Sequence, residues 1–442
     1  MARSKAGETP ISYLREEVDL FGKEGYDVTV MNSSTAKFFS SSNLRDTSAP
    51  ISFICYGTDT HYVDLAETRL YLRLKVTKPD GTAITDADVV APANNILHSL
   101  FSQVKLYINE TAVTPPSNYY GYKAFIERVL LFSKEFNKTQ SISACYYKEL
   151  DPAITTATDA DSSYGKRVLL ARGGTFEVCG RPHLDLFAQN KYLPPSFDMR
   201  IEFVRQPDSF SLHTSATAAD GFKLSVEEAY LTVTRRKLLP TIEMMHINAW
   251  KQHKVMNFDM KKTDVKSYTV AVGSLNSTNE NVITGLLPNR LVIGIVETSN
   301  LVGTYKTNPF YFGHHNLSHI NVTVNGSNGE SFPLDLDFTT VGGKRMLEAY
   351  DNVFKGLGIC NSPNTIDFTL DEFKTGKTLF VYEISPFGDV NSIPRFGSLK
   401  VELKFQQATT KSLTVLCYTE SQAILHIDHL KNVYYKDYSH VG

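Results

Sequence analysis

A chain of 442 residues exceeds one ordinary core, and two β domains of roughly 200 to 250 residues account for it as well as three of about 150. Its 42% hydrophobic and 21% charged residues exclude a disordered chain, and a formal net charge of −2 excludes a global pull toward nucleic acid or anionic membrane. Cys55, Cys145, Cys179, Cys360 and Cys417 are odd in number and form no C-x-x-C pair, which excludes a disulfide framework and a zinc site.

Residues 1–14 are polar and broken by Pro10, without the apolar centre of a secretory signal, so synthesis in the cytosol is expected. Residues 1–48 mix charge with Ser, Thr and Asn around a short amphipathic patch at 13–21, and read as an arm ordered by contact with something else. From Ile51 the texture becomes strand and turn. Residues 51–56 come first, then 68–76, where Leu70, Leu72, Leu74 and Val76 alternate with Tyr71, Arg73 and Lys75 ahead of a Pro79-Asp80-Gly81 turn. Further strands are expected at 103–109, 175–179, 184–188, 198–204 and 224–235, with a helix at 119–132. After Leu238-Leu239-Pro240 the texture restarts, with strands at 267–272, 290–297 and 319–325, a helix at 345–355, and strands at 378–384, 398–405 and 413–418.

The second half replays the first. Val104 to Asn109 precedes the helix holding Phe125 and Val129, as Ile320 to Asn325 precedes the helix holding Leu347 and Tyr350. A strand pair follows in each half, 184–188 with 199–204 and 379–384 with 399–405, and each half closes on a long strand, 224–233 or 413–424. The expected fold is all-β with a few short inserted helices: two tandem jelly rolls, each an antiparallel eight-stranded sandwich. The division is 1–48 arm, 49–239 first roll and 240–442 second roll with a C-terminal tail; two unrelated β sandwiches are the alternative.

The best case for chemistry is His183-Leu184-Asp185, because alternate residues of a strand share a face and a His-x-Asp pair supplies two ligands of a 2-His-1-carboxylate iron site. The third ligand would come from His213 or His246, neither clearly on a partner strand; the plainer reading is a strand with outward polar residues. His314 and His315, with His319, suggest a metal cluster, but adjacent residues of an extended chain point oppositely and the flanking Asn and Ser suggest a loop. Arg235-Arg236-Lys237 and Lys261-Lys262 read as solvated charge at a strand end and in a linker. Phosphate-loop, dinucleotide, nucleophile-elbow and H-E-x-x-H motifs are all missing from the sequence. No residue is nominated as catalytic, cofactor-binding or metal-binding, and no cofactor is expected.

Several strings carry a resemblance: GTDTHYVDL from Gly57, NNILHSLFSQVKLYIN from Asn94, YYGYKAFIERV from Tyr119, GRPHLDLFAQ from Gly180, LPNRLVIGIV from Leu287 and YKTNPFYFGHHN from Tyr305. Together, from about Ile51 to about Tyr435, they resemble the major capsid proteins of Polinton or Maverick elements and adintoviruses. The resemblance implies a hexon-like, non-enzymatic capsid protein whose two upright jelly rolls form homotrimeric, pseudo-hexameric capsomers tiling an icosahedral shell around double-stranded DNA. It implies partners in neighbouring capsomers and a minor (penton) capsid protein, no direct sequence-specific nucleic-acid binding, and a place in the virion, with the host nucleus a candidate place of assembly. The arm would run along the inner face, and the loops 83–92, 150–166 and 213–221 would be exposed tips or intersubunit contacts. A jelly-roll non-haem iron oxygenase using His183 and Asp185, and a carbohydrate-binding β-sandwich module, are the rival readings; for the latter a single tryptophan, Trp250, is sparse.

Overall fold

The computed structural model describes residues 28–149, 160–214, 221–326, 331–338, 345–360, 362, 365–385 and 394–436. In the first half the strands are β1 Val30–Phe39, β2 Ile51–Cys55, β3 Tyr62–Thr77, β4 Val90–Pro92, β5 Phe101–Ile108, β6 Thr111–Ala112, β7 Thr175–Gly180, β8 Met199–Arg205, β9 Leu212–Thr214 and β10 Lys223–Leu238. The second half holds β11 Met256–Val270, β12 Asn276–Leu286, β13 Arg290–Glu297, β14 Leu317–Val324, β15 Ser331–Asp335, β16 Leu379–Glu383, β17 Phe396–Phe405, β18 Leu413–Ile427 and β19 Val433–Tyr435. The helices are α1 Ile96–Ser99, α2 Tyr120–Leu131, α3 Lys134–Lys138, α4 Ser163–Arg172, α5 Asp208–Ser211, α6 Pro240–Lys251, α7 Thr298–Val302, α8 Met346–Gly356 and α9 Leu370–Thr375.

Each half is a sandwich of two antiparallel sheets. In the first, β1-β10-β3-β7 faces β2-β8-β5-β6; in the second, β11-β18-β13-β16 faces β12-β17-β14-β15. Leaving aside the short pair β4-β9 and the added β19, both halves follow one rule: strands one, eight, three and six form one sheet, and two, seven, four and five the other. That is the jelly-roll order, present twice. The helical insertions recur at one place too, between strands five and six, as α2 to α4 in the first roll and α8 and α9 in the second.

Period-two patterning builds the sheets. In β3, Leu70, Leu72, Leu74 and Val76 are buried while Arg73 is exposed and Tyr71 and Lys75 are half-buried, and β10 lies against it with Leu231 opposite Leu70 and Leu224 opposite Val76. Phe53 and Phe203 meet edge to face at 5.8 Å in the first core. Strand β13 is buried from Arg290 through Val296, as a strand covered on both faces must be. Its Gly294 answers a packing need: a Cβ there would stand 2.6 Å from a ring carbon of Phe312.

Several expectations change. Val30–Phe39, assigned to an arm, is an edge strand paired with β10 from Val30 opposite Leu238 to Phe39 opposite Tyr230; residues 1–27 lie outside the described residues. Its pattern is mostly exposed, so no apolar alternation marks it. The expected strand at 184–188 is a 3₁₀ turn, Asp185–Ala188, and strand six of the first roll is β7. Lys261 and Lys262 sit within β11, whose ladder with β18 runs unbroken. The link between rolls is α6, which Pro240 opens at the first helical turn, where proline's missing N–H costs nothing. Of the expected tip loops, 150–159 and 215–220 lie outside the described residues.

Candidate functional site

Buried aromatic and charged side chains concentrate where the rolls meet. The inserted helix α2 presents Tyr122 and Phe125 toward the second roll, whose segment between α7 and β14 carries Phe310 and Phe312, all buried. Phe125 stacks on Phe310 with ring centres 4.5 Å apart and planes 10° apart. Tyr122 meets Phe310 at 5.4 Å and Phe312 at 6.2 Å, and Phe210 meets Phe310 edge-on at 5.8 Å. Such offset and edge contacts are the favoured aromatic geometries.

A polar layer surrounds this plug. Lys123 Nζ lies 2.6 Å from Asp185 Oδ1, and Asp185 also accepts from the Thr263 hydroxyl at 2.6 Å and the Thr263 backbone N–H at 2.9 Å. Glu127 Oε2 lies 2.5 Å from His183 Nδ1, and Glu127 Oε1 lies 3.2 Å from the Tyr418 hydroxyl. That hydroxyl is also 3.1 Å from Glu420 Oε1, while Arg290 Nη1 holds Glu420 Oε2 at 2.6 Å. Arg290 further donates to the carbonyls of Gly356 and Leu357 that end α8. At the other flank Glu149 takes Arg167 at 2.6 Å and the Asn308 amide at 3.1 Å, and Lys148 reaches Asp367 and Glu372. Burial pushes the Glu127 carboxyl up from its ordinary range, and burial together with the cations Arg128, Lys123 and Arg181 pushes His183 down. For Lys123, burial works against the charge, but Asp185 and Glu127 outweigh it and hold the ammonium above its usual range.

His183 and Asp185 are neighbours in sequence but not a ligand pair. The imidazole turns to Glu127 and stands edge-on to His98 at 4.5 Å, while both Asp185 oxygens are engaged by Lys123 and Thr263. His213 lies in β9 and His246 in α6, where its Nδ1 is 2.9 Å from the Tyr62 hydroxyl. His314 stacks on Phe338 at 4.5 Å and His319 pairs with Asp335 at 2.7 Å, so these two turn to different partners. Among the described residues no group of three His, Cys, Asp or Glu is placed to hold a metal ion. Glu127, Tyr418, Glu420 and Arg290 belong to no motif. The signal they leave is a charge inside an apolar run, Glu127 in YKAFIERVLL and Arg290 in LPNRLVIGIV.

One pH response follows from β9. His213 is 2% exposed, its Nε2 has no partner, and burial with the nearby Arg167 pushes its pKa down from 6.5 to about 3. The unfolded chain binds that proton below about pH 6.5 and the folded chain does not, so stability is complete above 6.5 and falls as pH drops. From pH 7 to 5 the loss is about 2 kcal/mol from this group. Urea unfolding at both pH values should show His213→Phe losing less on acidification than the parent by about that amount; equal losses would sink the assignment.

No protein-family model matches the chain. An uncharacterized protein of Caenorhabditis elegans is 25% identical over 404 residues, covering 88% of this chain and 94% of that protein. Among solved structures, that of the Sputnik virophage by cryo-EM aligns over 99% of this chain and 95% of the matched one, with a TM-score of 0.66 at 11% identity. The Faustovirus major capsid protein aligns over 92% of each chain, with a TM-score of 0.56 at 10% identity. Likeness at such identities is likeness of fold, and it extends over both rolls.

Proposed function

We propose that this chain is the major capsid protein of a double-stranded DNA element of the Polinton, Maverick or adintovirus kind, a building block and not an enzyme. The observation that carries the reading is the repeated strand order: one chain folds the same eight-stranded sandwich twice and seals the copies through a buried junction. A cyclic trimer of a two-lobed chain offers six similar blocks, so one gene product packs hexagonally while closed threefold symmetry sets the capsomer's size. Full-length likeness in fold to viral capsid proteins supports the reading, and a relative of matching length in a nematode supports an element carried in animal genomes. Neighbouring capsomers and a penton protein at the vertices would be its partners, an icosahedral shell its destination, and the host cytosol its place of synthesis. Nothing in the junction favours the iron-oxygenase rival, because Asp185 is already neutralised by Lys123 and bonded to Thr263.

Size exclusion with light scattering tests the proposal. A stable particle of about three times 49.5 kDa is expected, followed by hexagonal arrays or shells in electron micrographs. A strict monomer at every concentration, or stoichiometric iron after purification, would overturn it.

A further inference from the structure

The Tyr418 hydroxyl sits in a position that ordinary charge states do not satisfy. It lies 3.2 Å from Glu127 Oε1 and 3.1 Å from Glu420 Oε1, yet it has one hydrogen to give. With both carboxyls ionised, one of the two contacts would set an oxygen lone pair against a carboxylate in a buried place, where the loss is largest. Glu420 is the carboxyl with a cation on it, Arg290 at 2.6 Å. Glu127 has no cation committed to it: Lys123 is 4.0 Å away and holds Asp185 at 2.6 Å, and the His183 imidazole, 2.5 Å from Oε2, is kept neutral by its burial and by the cations Arg128, Lys123 and Arg181. Arg128 donates to the Ser141 hydroxyl and its guanidinium lies over the Phe132 ring, 4.5 Å from the centroid.

We propose that Glu127 is a protonated carboxylic acid at neutral pH, and that its proton completes an unbroken hydrogen-bond relay joining the first roll to the second. In this relay His183 Nδ1–H donates to Glu127 Oε2, Glu127 Oε1–H donates to the Tyr418 oxygen, Tyr418 O–H donates to ionised Glu420, and Arg290 donates to Glu420 Oε2. Every member then has the partner its chemistry requires, and a neutral His183 fits beside the cations Lys123, Arg128 and Arg181. From α1, the His98 ring faces His183 edge-on; Tyr120 accepts the His183 backbone N–H at 3.0 Å; from β11, Asp264 faces Lys123. Burial raises the Glu127 carboxyl in the same direction. A group that binds its proton more tightly folded than unfolded loses its contribution as pH rises through the folded value. The junction is therefore a latch that alkali opens. This inference is independent of whether the chain builds capsids.

Infrared spectroscopy of the full chain labelled with ¹³C-glutamate tests it. A protonated carboxylic acid carbonyl band is expected at neutral pH, shifted by the label and missing from Glu127→Gln; no such band in the folded parent overturns the proposal, and this measurement needs no variant to fold. Hydrogen exchange in α2 and β18, corrected for intrinsic rates, gives the second readout. Opening in the parent should rise about tenfold per pH unit from the ordinary carboxyl range up to the raised titration of Glu127 in the closed junction, and level off above it. Glu127→Gln, whose amide keeps a donor facing Tyr418, should stay flat over the same range, and a Gln variant that tracks the parent overturns the latch.

Discussion

Truncating Phe310 to alanine is expected to cost roughly 3–5 kcal/mol and to split one unfolding transition into two. The magnitude is that of a large aromatic removed from a packed interior without collapse of the hole. The consequence for cooperativity comes from where the ring sits. Phe310 belongs to the second roll by sequence, but Phe125, Tyr122 and Phe210, the rings around it, belong to the first. Both edges of the hole are pinned: on one side the Phe310 backbone N–H donates to Asn308 Oδ1 at 3.0 Å and Asn308 donates in turn to Glu149, and on the other the Phe312 backbone N–H donates to the Gly376 carbonyl at 2.8 Å. Neighbouring backbone therefore cannot slide in to fill the space. Phe312 remains, 6.1 Å from Phe125, and keeps the rolls near each other, so separate melting of the rolls and not loss of either fold is the expected outcome. Urea unfolding followed by far-ultraviolet circular dichroism and by tyrosine fluorescence decides it. A loss under 1 kcal/mol with coincident transitions would mean that the ring fills space without joining the rolls.

The same junction shows why the sandwich is legible in sequence and the contacts between sandwiches are not. Alternation in Leu70 to Val76 is a local pattern with one physical cause, a half-buried pleated face, and it marks β3 directly. The replay of β5 by β14 and of β10 by β18 is legible for the same reason, since both copies must bury one face at the same step of the same topology. The inserted helices α2 and α8 stand within a residue of where apolar spacing puts them. Edge strands fail the test: β1 is mostly exposed, and β12 begins as Asn-Ser-Thr-Asn-Glu-Asn, paired with β17 across a register shift between Asn279 and Ile283. The turn at Asp185 is misread because Leu184, Leu186 and Phe187 look like a strand face, while Asp185 is drawn across the junction to Lys123 and Thr263, residues distant in sequence. Periodicity records what a segment buries, not which distant segment buries it. The His183 and Asp185 pair shows the limit plainly, because the spacing that suggests a shared face is real and the backbone there is not a strand.

Arg167→Met should destabilise the chain by roughly 3–5 kcal/mol, whereas the double substitution with Glu149→Leu should recover much of the loss. Arg167 is 2% exposed and Glu149 5%, so neither charge is relieved by water once its partner is gone. The guanidinium holds Glu149 Oε1 at 2.6 Å, the Pro92 carbonyl at 2.7 Å and the Ser163 carbonyl at 3.2 Å. It thereby ties α4 to the end of β4 and to the segment that leads from the α3 region toward α4. Removing it leaves a buried carboxylate hydrogen-bonded by the Asn308 amide but without its guanidinium, and takes one donor from each of two backbone oxygens. Breaking one side of a buried pair costs far more than replacing both sides with apolar groups of similar size, because desolvation of the pair consumes most of its Coulombic gain. A double-mutant cycle measured by urea unfolding separates the two cases. Additive losses, with the double variant the least stable of the three, would mean that Arg167 acts through its packing stem and its bonds to Pro92 and Ser163. A double variant near the parent in stability but with a loosened Asn308 would locate the pair's role in orientation: Glu149 fixes the Asn308 amide, Asn308 fixes the Phe310 backbone, and Phe310 seats the second roll against the first.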